Sequence, residues 1–106
     1  MSIVLVHCSC AADGSADRIA ARLVEERLAA CISQLPGMRS TYRWQGETHT
    51  DDEVLLLIKT TRERYPALAA RLLELHPYEL PEIIAVDVSA AHLPYAAWVA
   101  HEVGVS

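Results

Sequence analysis

The sequence predicts an α+β domain of the ferredoxin-like class, in which two helices pack on one face of a four-stranded antiparallel sheet. Apolar runs of strand length and helical apolar stripes follow one another in the order β-α-β-β-α-β, with a further helix at the C-terminus. The run Val54 to Ile58 is apolar at both strand parities, so neither face of that strand suits water. At 106 residues the chain is long enough for a core of its own, and we expect one domain over residues 1–106.

The first strand and the first helix are predicted from an apolar run and an apolar stripe. Ile3 to Cys8 is another continuous apolar run, which indicates a strand buried on both faces. Ala11 to Ser15 is a polar loop in which Asp13 or Ser15 is suited to cap the next helix. That helix is expected from Ala16 to Ala30, with a stripe formed by Ile19, Ala20, Leu23, Val24 and Leu28.

A hairpin with a polar tip is predicted next. Cys31 to Leu35 is a short strand that we expect to break at Pro36-Gly37. Polar and aromatic residues fill Met38 to Trp44, and Gln45-Gly46 is typical of a tight turn. The returning stretch Glu47 to Asp52 is polar on both faces, so the tip is expected to project beyond the sheet.

A second helix follows the central strand. Thr60 and Glu63 have the spacing of a capping box, and Pro66 is tolerated only in a first turn. We therefore expect the helix to begin between Arg62 and Pro66. Its apolar stripe consists of Leu68, Ala69, Leu72 and Leu75.

The C-terminal part is predicted to contain a loop, a strand and a short helix. Two prolines exclude regular structure from His76 to Glu82. Ile83 to Val88 is apolar at both parities and predicts the fourth strand, and a helix is expected from Pro94 to about Val103. Three of the four strands are apolar on the face that the helices leave open, more than soluble monomers usually expose. We therefore expect an oligomer whose sheets face inward.

Composition and charge exclude several classes of protein. The net charge of −5 argues against a nucleic-acid binder, which would present a basic face. No apolar run approaches the roughly 20 residues of a membrane helix, and no basic segment precedes the first apolar run as in a signal peptide. Three cysteines without a secretory signal indicate reduced thiols, and hence a cytoplasmic protein.

The segment His7-Cys8-Ser9-Cys10 is a candidate metal site at the end of the first strand. Strand alternation places Cys8 and Cys10 on one face and His7 on the other. Two thiolates at this spacing suit a soft ion such as Cu(I). The competing interpretation is that these cysteines, like Cys31, are small hydrophobic residues of the core.

A second candidate group surrounds the proline-containing loop. Lys59 at a strand end and Tyr78, Glu79 and Glu82 in the loop have side chains able to line a cleft between subunits. An ion pair that stabilises the oligomer is the alternative role of these charges. Tyr42 and Trp44, on one face of the hairpin, are interpreted as interface anchors.

No catalytic signature is present, and we expect a protein that is not an enzyme. The sequence lacks a glycine-rich phosphate loop, a C-x-x-C pair and an H-E-x-x-H motif. An acylphosphatase would need an arginine in the loop after the first strand, and Ala11 to Ser15 has none.

Five segments carry a joint resemblance to a known family, and they are Leu28–Ile32, Leu35–Gly37, Tyr42–Glu47, Leu57–Thr61 and His76–Ile84. Taken in order, they resemble the divalent-cation tolerance proteins CutA. The resemblance implies a ferredoxin-like subunit in a compact homotrimer similar to the nitrogen-regulatory PII proteins, and a link to copper or other divalent metals.

The resemblance also suggests metal ligands. Bacterial CutA proteins similar to this chain have a metal-binding cysteine at the position of Cys8, and a His-His pair where this chain has Leu75-His76. His76 is then a second ligand, with Cys10 as a candidate for the missing third; the alternative is that His76 only interacts with the helix dipole. Copper is the expected ion and is not needed for folding. Two other functions stay open: a PII-like signalling module that binds a small anion or nucleotide in the cleft near Lys59, and a scaffold without a ligand.

Overall fold

The computed structural model describes residues 2–104, which form a four-stranded antiparallel sheet and three helices. The strands lie in the order β2-β3-β1-β4, and α1 and α2 connect them as the ferredoxin-like class requires. The predicted fold class is therefore confirmed. The elements are β1 (Ile3–Ala11), α1 (Ser15–Glu25), β2 (Cys31–Trp44), β3 (Glu47–Thr61), α2 (Tyr65–Leu75), β4 (Ile83–Asp87) and α3 (Leu93–Val103).

The main core lies between the sheet and the helices α1 and α2. The central pair of strands places Cys8 opposite Leu56 and Val6 opposite Ile58, and these four side chains are fully buried. The helices contribute apolar side chains that are also fully buried, namely Ile19 and Leu23 of α1 and Leu68 and Leu72 of α2. Each strand thus presents one apolar face to the helices, which is what alternation along a strand predicts.

Helix α1 is shorter than expected. It ends at Glu25 rather than Ala30, and Arg27 adopts a left-handed conformation with φ of 59°. The Leu28 N–H donates to the carbonyl of Leu23 at 3.0 Å, a closing bond typical of a helix C-terminus. The apolar pattern continues beyond the helix because Ala29 and Ala30 are buried where the chain enters the sheet. Val24, which was predicted to belong to the apolar stripe of the helix, is exposed.

Helix caps differ in detail from the predicted ones. The N-cap of α1 is Gly14, and no side chain caps the helix, so the expected cap by Asp13 or Ser15 is wrong. Asp13 Oδ1 instead accepts a hydrogen bond from the N–H of Ser15, the first helical residue, at 3.0 Å. The predicted capping box of Thr60 and Glu63 is wrong, because Thr60 still belongs to β3, which ends at Thr61. Helix α2 begins at Tyr65, within the interval from Arg62 to Pro66 that was expected. Thr60 instead donates from its hydroxyl to the carbonyl of Leu28 at 2.7 Å.

Strand β2 is continuous, so the predicted break at Pro36-Gly37 is wrong. These two residues form a β-bulge, since Leu35 pairs with Leu55 and the pairing resumes between Met38 and Glu53. Gly37 supplies the positive φ of 82°. The sheet tolerates the proline because β2 is an edge strand and needs no donor on its outer side.

The β2–β3 hairpin projects beyond the sheet, as predicted. Gln45 and Gly46 both have positive φ, 52° and 82°, which is the geometry of a two-residue type I′ turn. Strand β1 pairs with β3 only as far as Ala11 opposite Glu53, so the rest of the hairpin is two-stranded.

The second face of the sheet is only partly covered. Helix α3 packs there against Ile3 and Ala30 through Ala96, Val99 and Val103. Elsewhere the face is open, and three of its apolar side chains are roughly half exposed in the single subunit: Leu35 (45%), Ile84 (54%) and Val86 (50%). The exposed Ile84 and Val86 agree with the expectation that β4 presents apolar residues on the face that the helices leave open. Within residues 2–104, no helix has the length and apolar character needed to cross a membrane.

Candidate metal site and an adjacent cleft

Two thiols and one imidazole meet at the end of β1. The Cys8 and Cys10 sulfurs and a His76 ring nitrogen lie within 4.8 Å of one another, and all three residues are buried. The thiols share a face because they are two residues apart on a strand, while His7 faces the other way and is half-buried. His76 reaches them because α2 ends at Leu75 and the next residue is extended.

The Cys10–His76 distance and the chemistry of this group fit a thiophilic metal ion. Cys10 Sγ lies 3.7 Å from His76 Nε2. Sulfur and nitrogen ligands of one zinc-sized ion are separated by about 3.6 Å when metal–ligand bonds of roughly 2.3 and 2.05 Å meet at tetrahedral angles. Thiolates together with imidazole are the donors that soft and borderline ions prefer.

Hydrogen bonds hold the His76 ring in one tautomer. Its Nδ1 accepts from the Tyr78 N–H at 3.1 Å, so the proton of the neutral ring belongs on Nε2, which donates to the carbonyl of Ser9 at 2.9 Å. A metal on Nε2 would have to replace that proton and that bond. The site is therefore hydrogen-bonded in its own right without an ion.

The two thiols lose their protons one after the other. The hydrogen bond with Cys10, followed by burial, raises the pKa of the Cys8 thiol well above its ordinary value. The same hydrogen bond lowers the pKa of Cys10, although burial opposes it. The first proton thus leaves Cys10, and a metal that takes both sulfurs must displace the second from Cys8.

A cleft of about 660 Å³ lies beside this group, between the hairpin and the loop after α2. Tyr78, Glu79 and Glu82 line it, together with Tyr42 and Trp44 of the hairpin. The structure thus brings together three of the four predicted cleft residues. The two aromatic hairpin side chains are partly exposed in the single subunit, Tyr42 at 42% and Trp44 at 36%.

Lys59 lies away from this cleft. Its Nζ donates to Ser33 Oγ at 2.6 Å and lies 3.9 Å from Cys31 Sγ, on the open face of the sheet. The register places Lys59 opposite Leu5, whereas Glu53, which lines the cleft, lies opposite Ala11 at the end of β1. Cys31, assigned to the core, is half-buried.

Glu53 is a cleft residue that sequence reasoning missed. Its side chain is buried, and its Oε2 accepts a hydrogen bond from the Tyr78 hydroxyl at 2.7 Å. Burial, followed by this bond, raises the pKa of Tyr78. The available signal was the last of three consecutive acids, residues 51–53, immediately before an apolar run, which is equally typical of a strand boundary at the surface.

Comparisons with known proteins agree on one family. The model of the CutA1 divalent ion tolerance protein family matches residues 4–102. The chain is 49% identical over 86 residues to the divalent-cation tolerance protein CutA of Thermus thermophilus, covering 81% of this chain and 84% of that protein. It is 40% identical over 98 residues to human protein CutA, covering 92% of this chain but only 55% of the human protein.

A solved structure supports the same relationship. The crystal structure of CutA from Xylella fastidiosa matches with a TM-score of 0.94 at 48% identity, covering 97% of this chain and 99% of that one.

Proposed function

The chain belongs to the CutA1 divalent ion tolerance family, and we propose that it contributes to metal tolerance by binding a soft metal ion, copper above all, through Cys8, Cys10 and His76. The observation that carries this proposal is the convergence of three buried ligand groups within 4.8 Å. The relative from Thermus thermophilus, which is named for divalent-cation tolerance, supports it.

The donor set favours Cu(I) over Cu(II). Two sulfur donors suit the soft Cu(I) ion, whereas Cu(II) prefers imidazole and oxygen ligands in a tetragonal arrangement. Only one imidazole is available in this group. Copper is not required for folding, because His76 is already satisfied by Tyr78 and Ser9.

We further propose that the protein works as a homotrimer in the cytoplasm. The partly exposed apolar face around Leu35, Ile84 and Val86 supports self-association, since soluble monomers rarely leave such a surface uncovered. A reducing compartment follows from the proposed chemistry, because both thiols must stay reduced to bind the ion. The proposed role is binding rather than catalysis.

The alternative of an anion or nucleotide in the cleft has less support. Lys59, the cation on which it depended, is bonded to Ser33 instead of facing the cleft. The loop side of the cleft carries the carboxylates Glu79 and Glu82, which repel phosphate groups.

The decisive experiment measures Cu(I) affinity against a competing chelator. We expect Cys8→Ser and Cys10→Ser each to weaken binding by more than about tenfold, since loss of even an outer-shell partner typically costs about 10- to 100-fold. Cys31→Ser is the matched control, because Cys31 lies by Lys59 and outside the group. Equal affinities for all four proteins would assign the two cysteines to core packing alone.

A further inference from the structure

His7 is a polar side chain in the middle of the open, largely apolar face of the sheet. It is the central residue of β1, and β1 is one of the two inner strands in the order β2-β3-β1-β4. The register places His7 between Leu57 of β3 and Ile84 of β4, so its neighbours across the sheet are apolar. Helix α3 covers the face only near Ile3 and leaves this central part open.

The ring of His7 has no polar partner within one subunit. Neither of its nitrogens forms a hydrogen bond or an ion pair with residues 2–104. A neutral imidazole carries one donor and one acceptor nitrogen, and burying either without a partner is unfavourable. His7 is half-buried in a single chain, so this cost arises when the open face is covered. The assembled protein therefore has to supply a partner for the ring.

The homotrimer proposed above brings three copies of this residue together. In a closed ring of three chains with inward-facing sheets, a given residue of each chain lies at the same distance from the three-fold axis. The middle of an inner strand is the part of each sheet that lies nearest to that axis. Facing sheets pack about 10 Å apart, so side chains at the centres of their faces meet. Symmetry adds only the same central side chains from the other chains, so each His7 ring meets two further imidazoles.

We propose that the His7 imidazoles of three chains form a trihistidine site on the three-fold axis for a divalent ion of the zinc type. This inference rests on the proposed homotrimer, but not on copper binding by the thiols. Three histidine nitrogens and a water molecule are a ligand set that zinc accepts in tetrahedral geometry. One ion binds the acceptor nitrogen of every ring at once, and each ring keeps a proton on its other nitrogen.

The axial site differs from the thiol group in position, ligands and stoichiometry. Strand alternation directs Cys8 and Cys10 to the helix side of the sheet, where both are fully buried. The axial site contains no sulfur and takes one ion for three chains, whereas each chain has its own group of two thiols and His76. These differences make the two sites separable by experiment.

The test measures zinc bound to the intact protein after equilibrium dialysis, together with the oligomer mass by sedimentation. His7→Leu removes the imidazole and matches the apolar neighbours, so this variant should still assemble. We expect it to bind one zinc ion fewer per three chains than the native protein. His7→Gln, which stays polar but is a poor zinc ligand, should show the same loss. His101→Leu removes an imidazole from the exposed surface of α3 and should leave zinc binding unchanged.

Cobalt(II) in place of zinc gives the axial site a spectroscopic signature. The ion that native protein binds and His7→Leu does not bind should show d–d bands without a sulfur-to-metal charge-transfer band. Zinc should also raise the melting temperature of the native trimer more than that of His7→Leu, because an ion that binds only the assembled protein stabilises it. If neither His7 variant folds, a cobalt titration of the native protein decides, since one sulfur-free ion per three chains is expected.

Several outcomes would overturn the proposal, and they separate the site from the assembly. Trimeric His7 variants that bind as much zinc as the native protein would exclude the axial site and leave the homotrimer standing. A loss of one ion per chain would place the ion within a single subunit. A sulfur-to-metal band in the cobalt difference spectrum would assign the lost ion to the thiols. A native protein that is not a trimer would contradict both the proposed assembly and the site.

Discussion

The imidazole of His76 links the thiol of Cys10 to the loop that lines the cleft. It lies 3.7 Å from Cys10 Sγ on one side and accepts the Tyr78 N–H on the other. Tyr78 in turn donates its hydroxyl to Glu53 in the cleft. A metal ion held by Nε2 would replace the hydrogen bond to Ser9, and it would thereby act on the residue whose Nδ1 accepts from the loop.

The Tyr78–Glu53 bond gives a stability prediction for one residue. Tyr78→Phe removes the donor and leaves a buried carboxylate oxygen without it, so we expect the free energy of unfolding to fall by about 1–3 kcal/mol. Tyr42→Phe is the matched control, since its hydroxyl bonds Asp51 at an exposed position and should matter less. Urea denaturation measures both, and equal losses would mean that burial does not strengthen the Tyr78 bond.

Leu75 gives a second prediction, concerning metal preference. Leu75→His restores an imidazole next to His76, so Cu(II) affinity should rise by more than Cu(I) affinity. Leu75 packs against the core, so some loss of stability is expected as well. Leu73→His adds the same group at an exposed position of α2 and should change neither affinity. Competition titrations with both oxidation states check this, and a parallel rise in the two variants would contradict a ligand at position 75.

The β-bulge of β2 depends on the backbone of Gly37. Its φ of 82° disfavours any side chain, while an added methyl group would meet no atom within 4 Å. Gly37→Ala therefore isolates the conformational cost, expected at about 1–2 kcal/mol of unfolding free energy. Gly37→Asn should cost less, because asparagine tolerates the left-handed region better. Denaturation curves measure both variants. If the two lose the same unfolding free energy, the bulge changes its backbone conformation instead of holding position 37 at a positive φ.

Most helices and strands were predictable because buried residues recur along the chain with the period of a helix or a strand. Two-residue alternation correctly grouped Cys8 with Cys10, and double apolarity identified the central strands. The end of α1 was missed because Ala29 and Ala30 are buried where the chain enters the sheet, although they do not belong to a helix themselves. The partnership of Glu53 with Tyr78 joins residues 25 positions apart, and it depends on the path of a proline-containing loop that no local pattern encodes.

At the scale of the whole molecule, one apolar face of the sheet is only partly covered within a single chain. Helix α3 covers only the end near Ile3, and the projecting hairpin presents Tyr42 and Trp44 outside the sheet. Apolar and aromatic side chains of this kind are enriched at the centres of protein interfaces. Both features therefore favour assembly through the open face and the hairpin.

A substitution of Trp44 tests whether the hairpin contacts a neighbouring subunit. If Trp44 is an anchor between subunits, Trp44→Ala should shift the oligomer towards smaller species on dilution while the secondary structure persists. Trp98→Ala, at a similarly exposed position of α3, is the control for loss of an aromatic side chain. Sedimentation at several concentrations measures the shift. Unchanged oligomer size and melting temperature would exclude the hairpin as a contact.

The two faces of the sheet should respond differently to the same charge. Leu56→Asp buries a carboxylate among the helices and should prevent folding, since that side chain is fully buried within one subunit. Val86→Asp adds its charge on the open face, half exposed in one chain, so the subunit should fold but fail to assemble. Leu73→Asp, on the outer surface of α2, should do neither. Circular dichroism and sedimentation distinguish these results, and a Val86→Asp protein of native mass would show that assembly does not use this face.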